Sequence, residues 1–190
     1  MTVDPITNKA KLGALKDWVL INRGTKHLLL FTAGCNLALR VSDLLNLRIS
    51  DVRDEKGDLR DFIRVTETKN HITRDLKVNK VLRAALKKYF DEMDVLQGSD
   101  YLFPGRKEGT HLRRESVHLL IKEATEAVGL DPRNYSTHTM RKTWGRRAYE
   151  SGKRIEEIAD KLGHASPSTT KAYIGLKKED RHKLEDEICI

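Results

Sequence analysis

Apolar residues along this chain recur at helical spacing, give way to alternation, and then return to helical spacing. The stretch KAKLGALKDWVLIN (Lys9 to Asn22) sets Leu12, Leu15, Val19 and Leu20 on one side, which predicts an amphipathic helix. RGT interrupts it, and KHLLLFTAGCNLAL follows as a second, buried helix. In RVSDLLNLRISDV, Ser42 and Asp43 are candidate caps ahead of an apolar face of Leu44, Leu45 and Leu47. The period then changes. DFIRVTETK alternates Phe62, Arg64 and Thr66 against Ile63, Val65 and Glu67, NHIT can turn, and RDLKV can return. With KGD as a further turn, a small antiparallel sheet is expected between Ile49 and Val78.

Helical spacing resumes in KVLRAALKKYFDEM, where Leu82, Leu86, Tyr89 and Phe90 form a stripe. A loop follows through GSDYLFPGRKEGT, then a helix ending at Gly129. A further helix runs from a Ser or Thr cap through HTMRKTWGRRAYE to Gly152. RIEEIADKLGH is a short amphipathic helix with Ile155, Ile158, Ala159 and Leu162 inward. SPSTTKAYIG starts another, with Pro167 near its first turn, and the charged amphipathic segment 176–190 is expected to be a tail helix. The pattern predicts a mostly helical α+β domain with a small antiparallel sheet inserted among the helices. Sparse Pro and Gly and the absence of repeats give no sign of a boundary within residues 1–190.

Composition adds a partner class. The 190 residues are 38% hydrophobic and 34% charged, and no apolar run approaches the ~20 residues of a membrane span. The N-terminus MTVDPITNKA lacks the apolar stretch of a secretory signal. Cys35 and Cys189 stand far apart with no metal-ligand or disulfide pattern, so a reducing cytoplasm is the simplest compartment. A net charge of +8 favours a polyanion, most often nucleic acid, though a solvated basic surface would give the same balance.

Three clusters could carry chemistry. Arg40 leaves an otherwise apolar stretch, either reaching for solvent or held for an anion. His138 and Arg141 stand three apart, on one face of a helix, where an imidazole can take a proton and a guanidinium can grip two phosphate oxygens. KLGHASPSTTKAYIG places Tyr173 nine positions after His164. Read locally, that last segment is a helix-turn-helix able to enter a major groove, or the seat of a nucleophilic tyrosine.

Taken in order, GCNLALRVSDLLNLRISDV, ETKNHITRDLKV, STHTMRKTWG and KLGHASPSTTKAYIG, with the LFP at Leu102 to Pro104, resemble the catalytic domain of the tyrosine recombinase (phage integrase) family over nearly the whole chain. The resemblance implies a site-specific recombinase that cleaves and rejoins double-stranded DNA through a 3′-phosphotyrosyl intermediate. It implies that Arg40 and Arg141 clamp the scissile phosphate, and that Lys69 protonates the leaving 5′ oxygen. His138 would manage the tyrosine's proton, His164 would donate to the phosphate, and Tyr173 would attack. Asp43 falls on the family's usual acidic position. No cofactor or metal is required, and the partners implied are DNA and further copies of the chain, four on two joined sites, with the C-terminal tail docking on a neighbour. Lys142 departs from the histidine often found after the second arginine. Few residues precede the HLLLF helix, where the family usually carries a core-binding domain of about a hundred residues. The expectation is therefore a single catalytic domain over 1–190 without that clamp.

The chemistry fits these residue types. Cleaving a phosphodiester builds negative charge on nonbridging oxygens, which preorganised arginines and a histidine can meet. A phenol with a pKa near ~10 needs a base or a positive field to attack at neutral pH, and an ammonium can protonate the leaving alkoxide. Among the other tyrosines, only Tyr135 lies close enough to His138 in sequence to be a candidate. A type IB topoisomerase would use the same logic without a specific site, and a non-catalytic helix-turn-helix regulator would need neither Arg40 nor Lys69.

Overall fold

The computed structural model describes residues 3–69, 71–92 and 101–176, so most of the expected tail helix lies outside it. The first element, α1 (Lys9–Leu37), starts where Asn8 accepts a hydrogen bond from the Lys11 amide at 3.0 Å. It is broken at Gly24, whose φ of 76° only glycine adopts without strain; this is the interruption expected at RGT. Beyond the break, Leu29, Leu30, Phe31, Ala33 and Leu37 are buried at the centre of the molecule. Packing of α1 against α4 (Lys80–Asp91), α5 (Arg114–Ala127) and α6 (His138–Glu150) encloses the main core. Gly34 allows close approach to α6, because a Cβ there would lie 2.5 Å from Met140 Sδ.

The region between Leu37 and the sheet differs from the sequence reading. Ala38 closes α1 in the left-handed conformation, and Arg40, not Ser42 or Asp43, is the N-cap of α2 (Val41–Leu45). Asp43 lies inside that helix, buried, because its carboxylate has a distant partner. Ile49 begins not a strand but a short helix, α3 (Ile49–Val52), whose Asp51 carboxylate accepts from the Arg48 amide at 2.7 Å. The sheet itself is two-stranded and antiparallel, β1 (Phe62–Thr66) on β2 (Thr73–Lys77), with Val65 opposite Arg74. Ile63, Val65 and Leu76 point into the core, and Glu67 follows in the same inward phase. Leu102 and Phe103 anchor the following loop in the core, where Tyr89 Oη donates to the Leu102 carbonyl at 3.1 Å.

A second, smaller apolar cluster of Ala38, Ile158, Leu162 and Ile174 joins the end of α1 to α7 (Ile155–Leu162) and to the segment just after α8 (Pro167–Tyr173). Gly163 turns the chain between α7 and α8 with φ 59°, and Ser166 caps α8, with Pro167 in its first turn. Two short helices joined by a glycine turn are present where the pattern predicts them. Gly145 on α6 lets Ile174 seat closely, since a Cβ at that position would lie 2.7 Å from Ile174 Cγ2. No helix among the described residues is long and apolar enough to cross a membrane.

Candidate active site

Five of the six residues singled out by the sequence meet where α6, α8, the turn after α7 and the N-cap of α2 converge. The junction is organised by Arg141. Its guanidinium is buried at 3% exposure, and donates through Nη1 to the Ala38 carbonyl and through Nη2 to the Leu162 carbonyl. Both acceptors are at helix C-termini, where carbonyls lack intrahelical partners and favour a cation. One side chain thereby ties the ends of α1 and α7 to α6. Arg40 follows Ala38 by two residues, so the left-handed turn that presents the carbonyl to Arg141 also delivers the second guanidinium to the site.

Arg40 is held by Glu67, a residue the sequence reading left without a role. The Glu67 carboxylate, 1% exposed, pairs with Arg40 Nη1 and lies 3.1 Å from Arg74 Nε. Arg74 in turn donates through Nη1 to the Asp160 carbonyl on α7 at 2.8 Å. A buried carboxylate needs such partners, and here they fix one guanidinium at the site and join the sheet to α7. The signal was in the alternation, which put Glu67 in phase with Ile63 and Val65.

Tyr173, at the end of α8, turns its ring into this group. Its Oη lies 3.5 Å from His138 Nδ1, the outer limit of a hydrogen bond, and its ring meets that of His164 edge-on with centroids 4.7 Å apart. His164 is oriented by a 3.0 Å contact of Nδ1 with the hydroxyl of buried Thr170, one turn before Tyr173 on α8. Burial pushes the Tyr173 phenol up from its ordinary value. Against that, the Arg141 guanidinium acts on it as a charge and as a hydrogen-bond donor, and Arg40 as a charge. Desolvation is also the first cause that lowers both imidazoles. For His138 it is reinforced by Arg114, Arg141, Lys142 and Arg40, and for His164 by Arg141 and Arg40. Both rings are therefore biased to the neutral form, in which one nitrogen accepts and the other donates.

Lys69 stands apart. It is exposed on the turn between the strands, with no contact to the cluster among those described. Its turn is nevertheless anchored from the site side. Asp43 Oδ1 accepts from the amide of Thr68 at 3.0 Å and from its hydroxyl at 2.7 Å, which gives one oxygen of the carboxylate buried in α2 its partners. Of the other tyrosines, Tyr89 is in the core, and Tyr135 is partly buried against it, its phenol pushed up by desolvation first and then by Asp4 and Asp131. Among the described residues no group of three or more His, Cys, Asp or Glu side chains is arranged to hold a metal. The arrangement is thus a phenol beside an imidazole biased to its neutral form, within the field of two fixed guanidiniums.

Comparison with known proteins gives the family of the chain. Residues 14–180 match the phage integrase family. The chain is 32% identical over 177 residues to the probable integrase/recombinase YoeC of Bacillus subtilis (strain 168), covering 93% of this chain and 92% of that one. It is 30% identical over 152 residues to the tyrosine recombinase XerD of Brucella suis biovar 1 (strain 1330), covering 78% of this chain but 48% of the relative, so it spans about half of that protein's length. In fold it is similar to the XerA recombinase, with a TM-score of 0.76 and 22% identity over 98% of this chain and 66% of that structure.

Proposed function

We propose, for a chain that belongs to the phage integrase family, that it is the catalytic unit of a site-specific DNA recombinase. Tyr173 Oη attacks the scissile phosphorus, the P–O5′ bond breaks, and the 3′ end of the strand is left on the phenol as a phosphotyrosine. A 5′ hydroxyl from a second duplex then attacks the same phosphorus, and the phenol leaves. The bond energy is kept in the covalent intermediate, so no nucleotide cofactor is consumed. In this reading His138 takes the phenolic proton, and Arg40 and Arg141 meet the charge growing on the nonbridging oxygens. His164 donates to one of those oxygens, and Lys69, on its exposed turn, protonates the leaving 5′ oxygen.

The observation that carries this reading is the 3.5 Å approach of Tyr173 Oη to His138 Nδ1 in the field of Arg141 and Arg40. These four side chains come from three separate stretches of sequence, and a surface basic helix would not gather them. The net charge of +8 suits a DNA partner, and joining two duplexes calls for four copies of the chain, working in the cytoplasm. A helix-turn-helix regulator would have no use for the convergence of Tyr173, His138, Arg141 and Arg40.

The test is covalent capture. Protein incubated with fragmented genomic DNA and then denatured should retain covalently attached fragments, whose sequences share the target site. Tyr173→Phe should bind DNA but retain none. Capture that persists in Tyr173→Phe removes Tyr173 as the nucleophile. Fragments without a shared sequence, together with relaxation of supercoiled plasmid, would point to a topoisomerase.

A further inference from the structure

Lys142 has entered the site so far only as a charge acting on His138, yet it is among the most buried charged side chains of the described residues. It is 5% exposed, and its Nζ lies 4.8 Å from the centroid of the Tyr173 ring, over the ring face. It stands on α6 directly after Arg141 and one turn after His138, so the helix that supplies the imidazole and the guanidinium also supplies this ammonium. A lysine is costly to bury unless something in the fold uses or answers its charge. Asp4, on the segment ahead of α1, acts on Lys142 as an opposite charge without pairing directly with it. That segment is fixed to α6 and its approach by hydrogen bonds, from Asp4 N to the Asn134 carbonyl at 2.7 Å and from the Thr139 hydroxyl to the Asp4 carbonyl at 3.1 Å.

We propose that Lys142 is a positioning residue for strand cleavage, whose ammonium against the ring face favours the phenolate form of Tyr173. This rests on Tyr173 being the nucleophile. A cation over an aromatic face is attracted by the ring's electron density, and the attraction grows when the phenol loses its proton, because part of the charge spreads into the ring. Lys142 leaves that proton to His138. Its part is to stabilise what is left behind. Among the described residues, the other charged and titratable groups facing Tyr173 are His138 and Arg141 on α6, Arg40 ahead of α2 and His164 after α7. Arg40 is partly answered by Glu67, and Arg141 is bound to two carbonyls. Lys142 is the cation seated on the ring itself. Desolvation is the main cause that lowers its own pKa, and Asp4 opposes that loss.

The experiment is a titration of the Tyr173 phenol in the full chain, read from the Cζ resonance of labelled tyrosine and assigned by its absence in Tyr173→Phe. Lys142→Met should raise the Tyr173 pKa by about one unit, and Lys142→Arg, which keeps the charge, should restore it. The rate of covalent capture at pH 7 should follow, falling about tenfold in Lys142→Met and recovering in Lys142→Arg. An unmoved Tyr173 pKa in a folded Lys142→Met overturns the proposal, as does a rise of equal size in Lys142→Arg. A measurement on the unmutated chain guards against a variant that does not fold. The Lys142 Cε resonance should show a step at the Tyr173 pKa, and its absence overturns the proposal. If the unmutated chain captures no DNA while the titration behaves as stated, the recombinase reading fails and the coupling of Lys142 to Tyr173 stands.

Discussion

In the proposed mechanism His138 accepts a proton at neutral pH, and its surroundings favour that. Desolvation, then Arg114, Arg141, Lys142 and Arg40, hold its pKa below the ordinary 6.5, so the ring is neutral at pH 7 and Nδ1 can accept. Lowering the pH through that depressed value protonates the ring and removes the acceptor. The rate of covalent capture should therefore fall on the acid side with a midpoint below 6.5. His138→Asn should remove that limb and slow capture about a hundredfold. A midpoint above 6.5, or an unchanged limb in the variant, contradicts the assignment. At this scale the sequence was most legible where neighbours in space are neighbours on a helix, as His138 and Arg141 are. It was least legible for Glu67, whose partners Arg40 and Arg74 lie 27 and 7 residues away. Alternation marked Glu67 as inward, but only the folded sheet brings the two guanidiniums to it.

The elements divide by length in the same way. The long helices and the hairpin were legible because each repeats its period over several turns or several alternations. The helices α2 and α3, of five and four residues, are too short for a period to register. Asp43 looked like a cap because its real partner, the Thr68 of the hairpin turn, is 25 residues on. Among the elements, α8 matters most to the site, and its seat depends on Gly145. A Cβ at that position would meet Ile174 Cγ2 at 2.7 Å and Leu162 Cδ1 at 3.3 Å, in a small cluster with little room to give. Gly145→Ala should lower the unfolding free energy by about 1–3 kcal/mol in denaturant titrations. Because Tyr173 immediately precedes Ile174, it should also slow capture out of proportion, by about a hundredfold if the ring moves by ~1 Å. Unchanged stability and capture would show that α8 is not held at this point.

For the whole molecule, the net charge of +8 and the position of the site at the meeting of helix ends both concern a long polyanion. Binding that releases counterions from several phosphates weakens steeply with salt. Nonspecific DNA affinity should drop about a thousandfold between 50 and 200 mM salt, and a flat response would argue against an extensive phosphate-contacting surface. Every role proposed for the site depends on a covalent bond forming between Tyr173 and DNA. That bond is tested most directly by digesting the captured complex with nuclease and trypsin and weighing the peptides. The peptide 172–177, released by cleavage after Lys171 and Lys177, should carry a phosphate-linked nucleotide on Tyr173. The same adduct found on the peptide 134–141, at Tyr135, or on a serine, would contradict it.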